Sequence, residues 1–457
     1  MAEGRVSRRE FCSRTGAAIG AVILGGFPRG EGRSQGQPGG QFGRATTLDS
    51  PYTVGMMTFL SGPSVVLAAP MLKGHILAVE EVNATGGLAG RRRVETITAD
   101  EGAGTDANVG ALKRMKREAK IDAFMGVASS ANTAALGPVA EDLRIPTLFV
   151  DGSTDLLFER VLPRPQYVFR VLNPQSADGA ACAVAVARTW PEVRRIAFIN
   201  PDYGYGRSAF DHFHVAIRKL LPGVHVVSEM WAPVGTTDFA GLIGQVSGAR
   251  PDLLVSALWG ADYRRFYRQA QGVGLFGKTK CVTTIAFGVT PHTIDTDHPE
   301  AVMAGARAGY YWNLSSEARW PANSRFVRRY YARWGEYPNF EAEGGYTAMH
   351  LLRVAIERAV QATGGWPDDA AIVRHLEGLS WESPAGPIRI RPDNHQAYRD
   401  AVISFTRHDP RYPFTVLDQR RVITVPIHTI TAPPGWPVGH PTSTYTWIER
   451  TWPAARP

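Results

Sequence analysis

The sequence predicts an α/β fold made of two doubly wound units in succession. Short β-branched and aromatic runs alternate with helical segments from Tyr52 onward, and the alternation starts afresh after Val171-Leu172-Asn173-Pro174. Glycines and hydroxyl residues also gather where the strands end, as they do at the ligand edge of open α/β sheets. In the first unit, strands are expected at Tyr52 to Leu60, Val94 to Ala99, Asp122 to Val127 and Thr147 to Val150. Helices are expected at Met71 to Asn83, Asp106 to Ala119 and Asn132 to Leu143. The second unit places strands at Arg195 to Asn200, Val224 to Met230, Leu253 to Ala257 and Lys280 to Thr284. Its helices fall at Gly179 to Thr189, Arg207 to Leu220, Phe239 to Ser247 and Ala261 to Gln271. A long helix from Glu343 to Thr363 carries Leu351, Leu352, Ala355, Ile356 and Ala359 on one broad apolar face, as a helix packed on a sheet would. Gly386 to Arg391 reads as a strand entering a turn at Pro392-Asp393-Asn394. From Pro426 on, seven prolines and Trp436, Trp447 and Trp452 mark a tail that cannot form a sheet of its own and should wrap across the body.

At 457 residues, 44% hydrophobic and 20% charged, the chain is of globular composition and large enough for two or three domains, which excludes a fibre and a disulfide-stapled miniature. Of the net charge of +8, residues 1–45 carry +4, so the body is only mildly basic. Lys113-Arg114-Met115-Lys116-Arg117 spreads its charges around a helix surface and reads as a solvated face, and no nucleic-acid partner is expected.

The first 45 residues read as a signal and flexible leader. Ser7-Arg8-Arg9-Glu10-Phe11 precedes an uncharged, Gly/Ala-rich stretch from Thr15 to Pro28. At about 1.5 Å per residue this is too short to span a hydrocarbon core of roughly 30 Å. Paired arginines before a weakly apolar segment resemble the twin-arginine signal, which exports folded proteins, so a periplasmic location is expected. Cys12 leaves with the signal. Cys182 and Cys281 share no spacing motif and read as buried thiols, with a disulfide as the alternative.

Nucleophile elbows and zinc-binding His-Glu-x-x-His helices are absent from the sequence, and no cofactor or metal is implied. His212 and His214 would point about 200° apart on a helix, too far for a shared ligand. The loop from His292 to His298 reads as a polar connection. Gly102-Ala103-Gly104-Thr105-Asp106-Ala107 matches a dinucleotide fingerprint between a strand and a helix, yet the acidic pair Asp100-Glu101 would face a pyrophosphate there. A glycine-rich turn is the simpler reading, and an exported NAD(P)-dependent oxidoreductase is the alternative. A richer constellation lies at other strand ends. Ser129 and Ser130 open a helix whose backbone N–H groups and dipole suit a carboxylate. Asp151, Gly152 and Ser153 follow the next strand, while Tyr203 and Trp259 hold equivalent positions in the second unit.

Several segments then point to a family. Leu60-Ser61-Gly62-Pro63, the stretch Ala78 to Gly90 (AVEEVNATGGLAG), Asp202-Tyr203-Gly204-Tyr205-Gly206, Gly235-Thr236-Thr237-Asp238-Phe239, Arg250-Pro251-Asp252 and Gly386-Pro387 resemble the branched-chain amino-acid-binding family of ABC-importer receptors. The resemblance implies a type I periplasmic binding fold, two α/β lobes joined by three crossovers around a cleft. The crossings would fall near Asn173, Gly309-Tyr310 and Pro392. Lobe one would comprise 50–172 with 310–391, lobe two 173–309 with 392–425, and the tail 426–457. The resemblance also implies that Ser130 holds a ligand carboxylate and that Asp151, Gly152 and Ser153 form a second contact strand. Tyr203 and Trp259 would face them from lobe two. Function would be non-catalytic: a monomeric receptor traps a small molecule and delivers it to ABC importer permease subunits, with a sensory role as the alternative.

Where that family usually offers a lobe-two acid to the ligand's ammonium, this chain has Thr283-Thr284-Ile285-Ala286-Phe287. A buried ammonium without a counter-charge is costly. Either Asp151 supplies the charge or the ligand carries no amine. With Phe59, Trp259, Phe287 and Tyr310 and Tyr311 expected near the cleft, an apolar or aromatic carboxylate or an amide is preferred to a branched-chain amino acid.

Overall fold

The computed structural model describes residues 50–289, 294–305, 307, 309, 320–437 and 443–453. The leader lies outside the described residues, as do Tyr310 and Tyr311, which were expected near the cleft. Strands β1 (Tyr52–Thr58), β2 (Val94–Asp100), β3 (Ala123–Gly126), β4 (Thr147–Phe149) and β5 (Val168–Arg170) form one sheet in the order β2-β1-β3-β4-β5, parallel throughout. Helices α1 (Val65–Ala84), α2 (Thr105–Arg117) and α3 (Ser130–Asp142) make its crossovers. Every residue of β1 is buried, as in a parallel strand covered on both faces.

The chain then enters α4 (Gln175–Thr189) and builds a second sheet from β6 (Arg195–Pro201), β7 (His225–Ala232), β8 (Leu253–Ser256), β9 (Lys280–Thr283) and β10 (Met303–Ala304). Helices α5 (Gly204–Leu220), α6 (Ala240–Ala249), α7 (Gly260–Gly272) and the short α8 (Ala286–Val289) intervene. The chain returns to the first lobe through α9 (Pro321–Trp334), α10 (Phe340–Thr363) and α11 (Asp369–Leu376), followed by an antiparallel ribbon of β11 (Ser380–Ser383), β12 (Gly386–Ile390) and β13 (Ala397–Tyr398). It crosses once more into β14 (Ala401–Arg407), β15 (Val416–Leu417) and β16 (Ile423–Val425), which extend the second sheet antiparallel beyond β10.

The third passage therefore lies at Arg399–Asp400, later than the expected Pro392, because β13 pairs with β12 and holds the chain in the lobe-one ribbon through Tyr398. The passages meet at one point. The Asn173 side chain accepts from the Arg399 N–H at 3.1 Å and donates to its carbonyl at 2.9 Å, and Arg307 of the second passage donates to the Asn173 carbonyl at 3.5 Å.

The tail folds more than its prolines suggest. Helix α12 (Ser443–Thr451) buries Ile448 in the core that also takes Ile430 from the preceding loop, and the Tyr445 ring meets His212 edge-on. Across to the first lobe its ties are polar: the Thr444 N–H donates to Glu159 at 2.9 Å, and Arg391 donates to the Ala432 carbonyl at 2.7 Å. Cys182 and Cys281 are both buried free thiols. Among the described residues no helix is long and apolar enough to cross a membrane.

Helix α10 lies against α1 at backbone distance. A Cβ on Gly74 would sit 1.8 Å from the Ala342 carbonyl oxygen, and one on Gly345 would sit 2.2 Å from that of Met71. This close crossing fixes the start of α10, and with it Glu341, beneath the strand ends. Gly345→Ala should lower the unfolding free energy by about 3 kcal/mol, since neither backbone can yield cheaply. A urea titration showing a loss under about 1 kcal/mol would contradict so tight a crossing.

Candidate ligand-binding site

The lobe-one rim is organised by where its backbone donors go. Between β3 and α3, the N–H groups of Ala128 and Ser129 donate to the carboxylate of Glu101 at 2.9 and 2.8 Å, and Asn132 Nδ2 adds a third bond at 3.0 Å. Ser129 caps the helix, accepting from the Asn132 N–H at 3.4 Å. What remains is the N–H of Ser130, the N–H of Ala131 and the Ser130 hydroxyl, none of which has a hydrogen-bond partner among the described residues. Glu101 is almost fully buried, and burial pushes its carboxyl up to about 7 against the pull of its three donors.

The Gly102 to Ala107 loop uses its groups locally. Asp100 accepts from the N–H groups of Leu60 and Gly102 at 2.9 and 2.8 Å, and a Cβ on Gly102 would lie 2.7 Å from Ser61 Oγ. The acidic pair thus closes the turn from inside, and the glycine makes room for the loop after β1.

After β4, Gly152 takes a left-handed φ of +58°, and a Cβ there would lie 1.6 Å from Thr133 Oγ1. Fully buried Arg170 holds this turn, donating to the carbonyls of Gly152 and Thr154 at 3.0 and 2.5 Å and to Gln396 of the ribbon at 2.6 Å. Ser153 is buried, and its hydroxyl has no partner among the described residues. Asp151 is not free: Arg307 Nη1 donates to it at 2.8 Å, while Arg307 Nε reaches Asp178 of α4 at 2.9 Å. Burial works against the Arg307 charge, but the two carboxylates outweigh it and raise its pKa well above the usual range. Asp178 also accepts from the Tyr205 hydroxyl at 3.1 Å. Beside Asp151 lies Glu341, fully buried, whose two oxygens find no donor as a carboxylate. Burial, and then Asp151, push it well above the carboxylate range; as an acid it can donate to Asp151.

On lobe two, Tyr203 and Trp259 each precede a helix, α5 and α7, and are joined by a bond from Trp259 Nε1 to the Tyr203 hydroxyl at 2.9 Å. Tyr203 keeps 38% of its surface exposed. The rim faces lobe one: a Cβ on Gly260 would lie 4.0 Å from Val66 Cγ1 of α1. Phe59 is half-buried at the end of β1. Phe287 departs from expectation. It is fully buried with its ring 5.0 Å from His298, which in turn bonds the Tyr263 hydroxyl at 2.9 Å, because the turn of α8 directs it into the lobe-two core. At the β9 end Thr284 pairs with the Tyr205 hydroxyl at 3.2 Å, and the segment offers no acid. The described part of the His292 to His298 loop is tied to α7, Asp295 by Arg264 and Arg268 and Asp297 by Tyr267 and Arg268; His292 and Thr293 lie outside the described residues.

Sequence reasoning missed Arg307, Asp178, Glu341, Glu101 and Arg170. Arg307, Arg170 and Asp178 carried one weak signal, a lone charge inside an apolar or Gly/Ala-rich run, as in Gly305-Ala306-Arg307-Ala308-Gly309 and Val168-Phe169-Arg170-Val171-Leu172. Arg307→Met should destabilise the fold by about 3–5 kcal/mol, since two buried carboxylates lose their cation. Adding Asp178→Asn should recover part of that loss in thermal unfolding; no recovery would count against the ion triad.

A family model described as periplasmic binding protein matches residues 51–406. The Leu/Ile/Val-binding protein homolog 7 of Brucella abortus is 25% identical over 351 residues, covering 74% of this chain and 84% of that protein. Among solved structures, an ABC transporter substrate-binding protein from Sphaerobacter thermophilus superposes with a TM-score of 0.71 at 21% identity, over 82% of this chain and 98% of that one. A solute binding protein of an ABC transporter from Rhodopseudomonas palustris, in complex with 3,4-dihydroxy benzoic acid, gives a TM-score of 0.67 at 20% identity over 82% and 98%. With one parallel and one mostly parallel α/β sheet, and a family match running from β1 into β14, the chain belongs to the periplasmic binding protein family.

Proposed function

We propose that this protein is an exported receptor that closes about its three crossovers on a small aromatic or apolar carboxylate, holds it unchanged and passes it to ABC importer permease subunits. The observation that carries the ligand class is the state of the charges. Ser130 and the N–H groups of Ser130 and Ala131 are unspent anion donors at a helix start. Asp151, the acid that could have met an ammonium, is already engaged by Arg307, and its neighbour Glu341 is held as a neutral acid. A carboxylate finds partners here, and an ammonium finds none to spare. The joined rings of Tyr203 and Trp259 suit a flat apolar body opposite those donors. Ser153 and Gly152 would complete the lobe-one wall and Phe59 its edge. The dihydroxybenzoate complex of the Rhodopseudomonas relative is in keeping with this reading, and the Brucella relative's name points to the amino-acid alternative.

Delivery outside the cytoplasm is supported by the family and by the Ser7 to Phe11 segment, read as a twin-arginine signal. Closure follows from ligand bridging both rims, because only the closed state gains both sets of contacts.

Calorimetry with benzoate, hydroxybenzoates and leucine tests the proposal. Benzoate-type acids should bind at micromolar Kd or tighter and leucine much more weakly. Ser130→Ala should weaken the acid by about 10–100-fold, the worth of one hydrogen bond to a charged group. Trp259→Ala should cost a comparable factor through lost ring contact. Micromolar leucine binding without binding of the acids would overturn the ligand class.

A further inference from the structure

We infer that the receptor takes up a proton together with its carboxylate ligand and that Glu101 is the group that receives it. The inference rests on the carboxylate reading above, and the argument is one of adjacency. Four consecutive backbone N–H groups line the turn into α3. The first two, of Ala128 and Ser129, hold the Glu101 carboxylate, and the next two, of Ser130 and Ala131, are those left for a ligand. Successive residues are about 3.8 Å apart, so a ligand carboxylate on the second pair lies within a few ångströms of the Glu101 carboxylate on the first. Two anions that close, with Glu101 buried beneath the turn, favour the loss of one charge.

The surroundings decide which one yields. Asp151 at the end of β4 and Glu341 at the start of α10 both act on Glu101 or are acted on by it, and Arg307, the cation that acts on Glu341, is spent on Asp151 and Asp178. Among the described residues Glu101 has no cationic partner; Asn132 is its one side-chain donor. Its carboxyl, already raised to about 7 by burial, needs only a modest further push to hold a proton at neutral pH. The ligand is the weaker base of the two and keeps its charge, facing the Ser130 hydroxyl and the helix start.

The sign follows from linkage. A group more protonated in the complex than in the free protein makes binding tighter as pH falls and weaker as pH rises through its free-state value. Affinity for a carboxylate should be nearly flat below about pH 6. It should then fall by up to tenfold per pH unit above about pH 7. A ligand whose ammonium approached the same acids would give the opposite sign.

Calorimetry of benzoate binding at about pH 8, in buffers of different ionisation enthalpy, reads the proton number directly. The expected result is uptake approaching one proton, with benzamide taking up none. Glu101→Gln should bind benzoate with uptake near zero and a flattened pH profile. Should that variant fail to fold, the pH dependence of wild-type affinity for benzoate against benzamide makes the same distinction. Binding heats that do not vary with buffer overturn the inference and leave the carboxylate reading standing. Absence of any heat with carboxylates removes both.

Discussion

The ion triad at Arg307 is the constraint on which the rest of this molecule turns. Its guanidinium leaves the second crossover and meets one carboxylate from each lobe, Asp151 at a strand end of the first and Asp178 on α4 of the second, with the face of Phe340 at 5.0 Å. All three charges are buried, so none can be released to water cheaply, and any swing of the lobes must pivot about this point rather than open it. The other crossovers are pinned to the same place by the reciprocal bonds of Asn173 and Arg399, and Arg399 is itself paired with Glu343 of α10 at 2.5 Å. A hinge of three thin strands acquires a fixed axis because its charges have nowhere else to go.

The binding rim is the complement of that accounting. Backbone donors at buried strand ends must be satisfied, and here nearly all are: by Glu101 below α3, by Asp100 after β1, by the carbonyl-seeking Arg170 beneath Asp151 to Thr154. The few groups left over are therefore informative. They fall at Ser130 and Ala131 on lobe one, whereas on lobe two the rings of Tyr203 and Trp259 are tied to each other.

Much of the fold was legible because its periodicities are strong. The eight expected strands of the two sheets all form, within a few residues of their predicted bounds, since each is a short run rich in apolar and β-branched residues between turn residues. Helix α1 begins earlier than expected, at Val65, because Pro70 sits inside it and reads as a break. Helix α9 and α12 were missed: the arginines of one and the proline-rich surroundings of the other mask a short apolar face, which in α9 is Phe326, Val327 and Tyr330. At the candidate site, the strand-end positions of Ser130, Tyr203 and Trp259 were readable from the sequence. Phe287 was not, since a strand-end aromatic looks the same whether the following turn sends it to the cleft or the core. The charges were hardest. Arg307 and Glu341 are far apart in sequence from Asp151, and only the close α1–α10 crossing, enforced by Gly74 and Gly345, brings Glu341 beneath it.

The triad also sets the balance of charge beneath the lobe-one rim. Two carboxylates on one guanidinium leave a negative excess, and Glu341 and Glu101 stand near it with no cation of their own. Such a floor would ordinarily welcome an ammonium. Under the carboxylate reading proposed above it does not, because Glu341 lowers its own cost by staying protonated, and because Glu101 is wrapped by donors that face it rather than the cleft. Charge that could have served a ligand has been turned inward to hold the hinge and the α3 turn. Polarity then reaches the cleft only as N–H and hydroxyl groups, which is the chemistry of anion recognition.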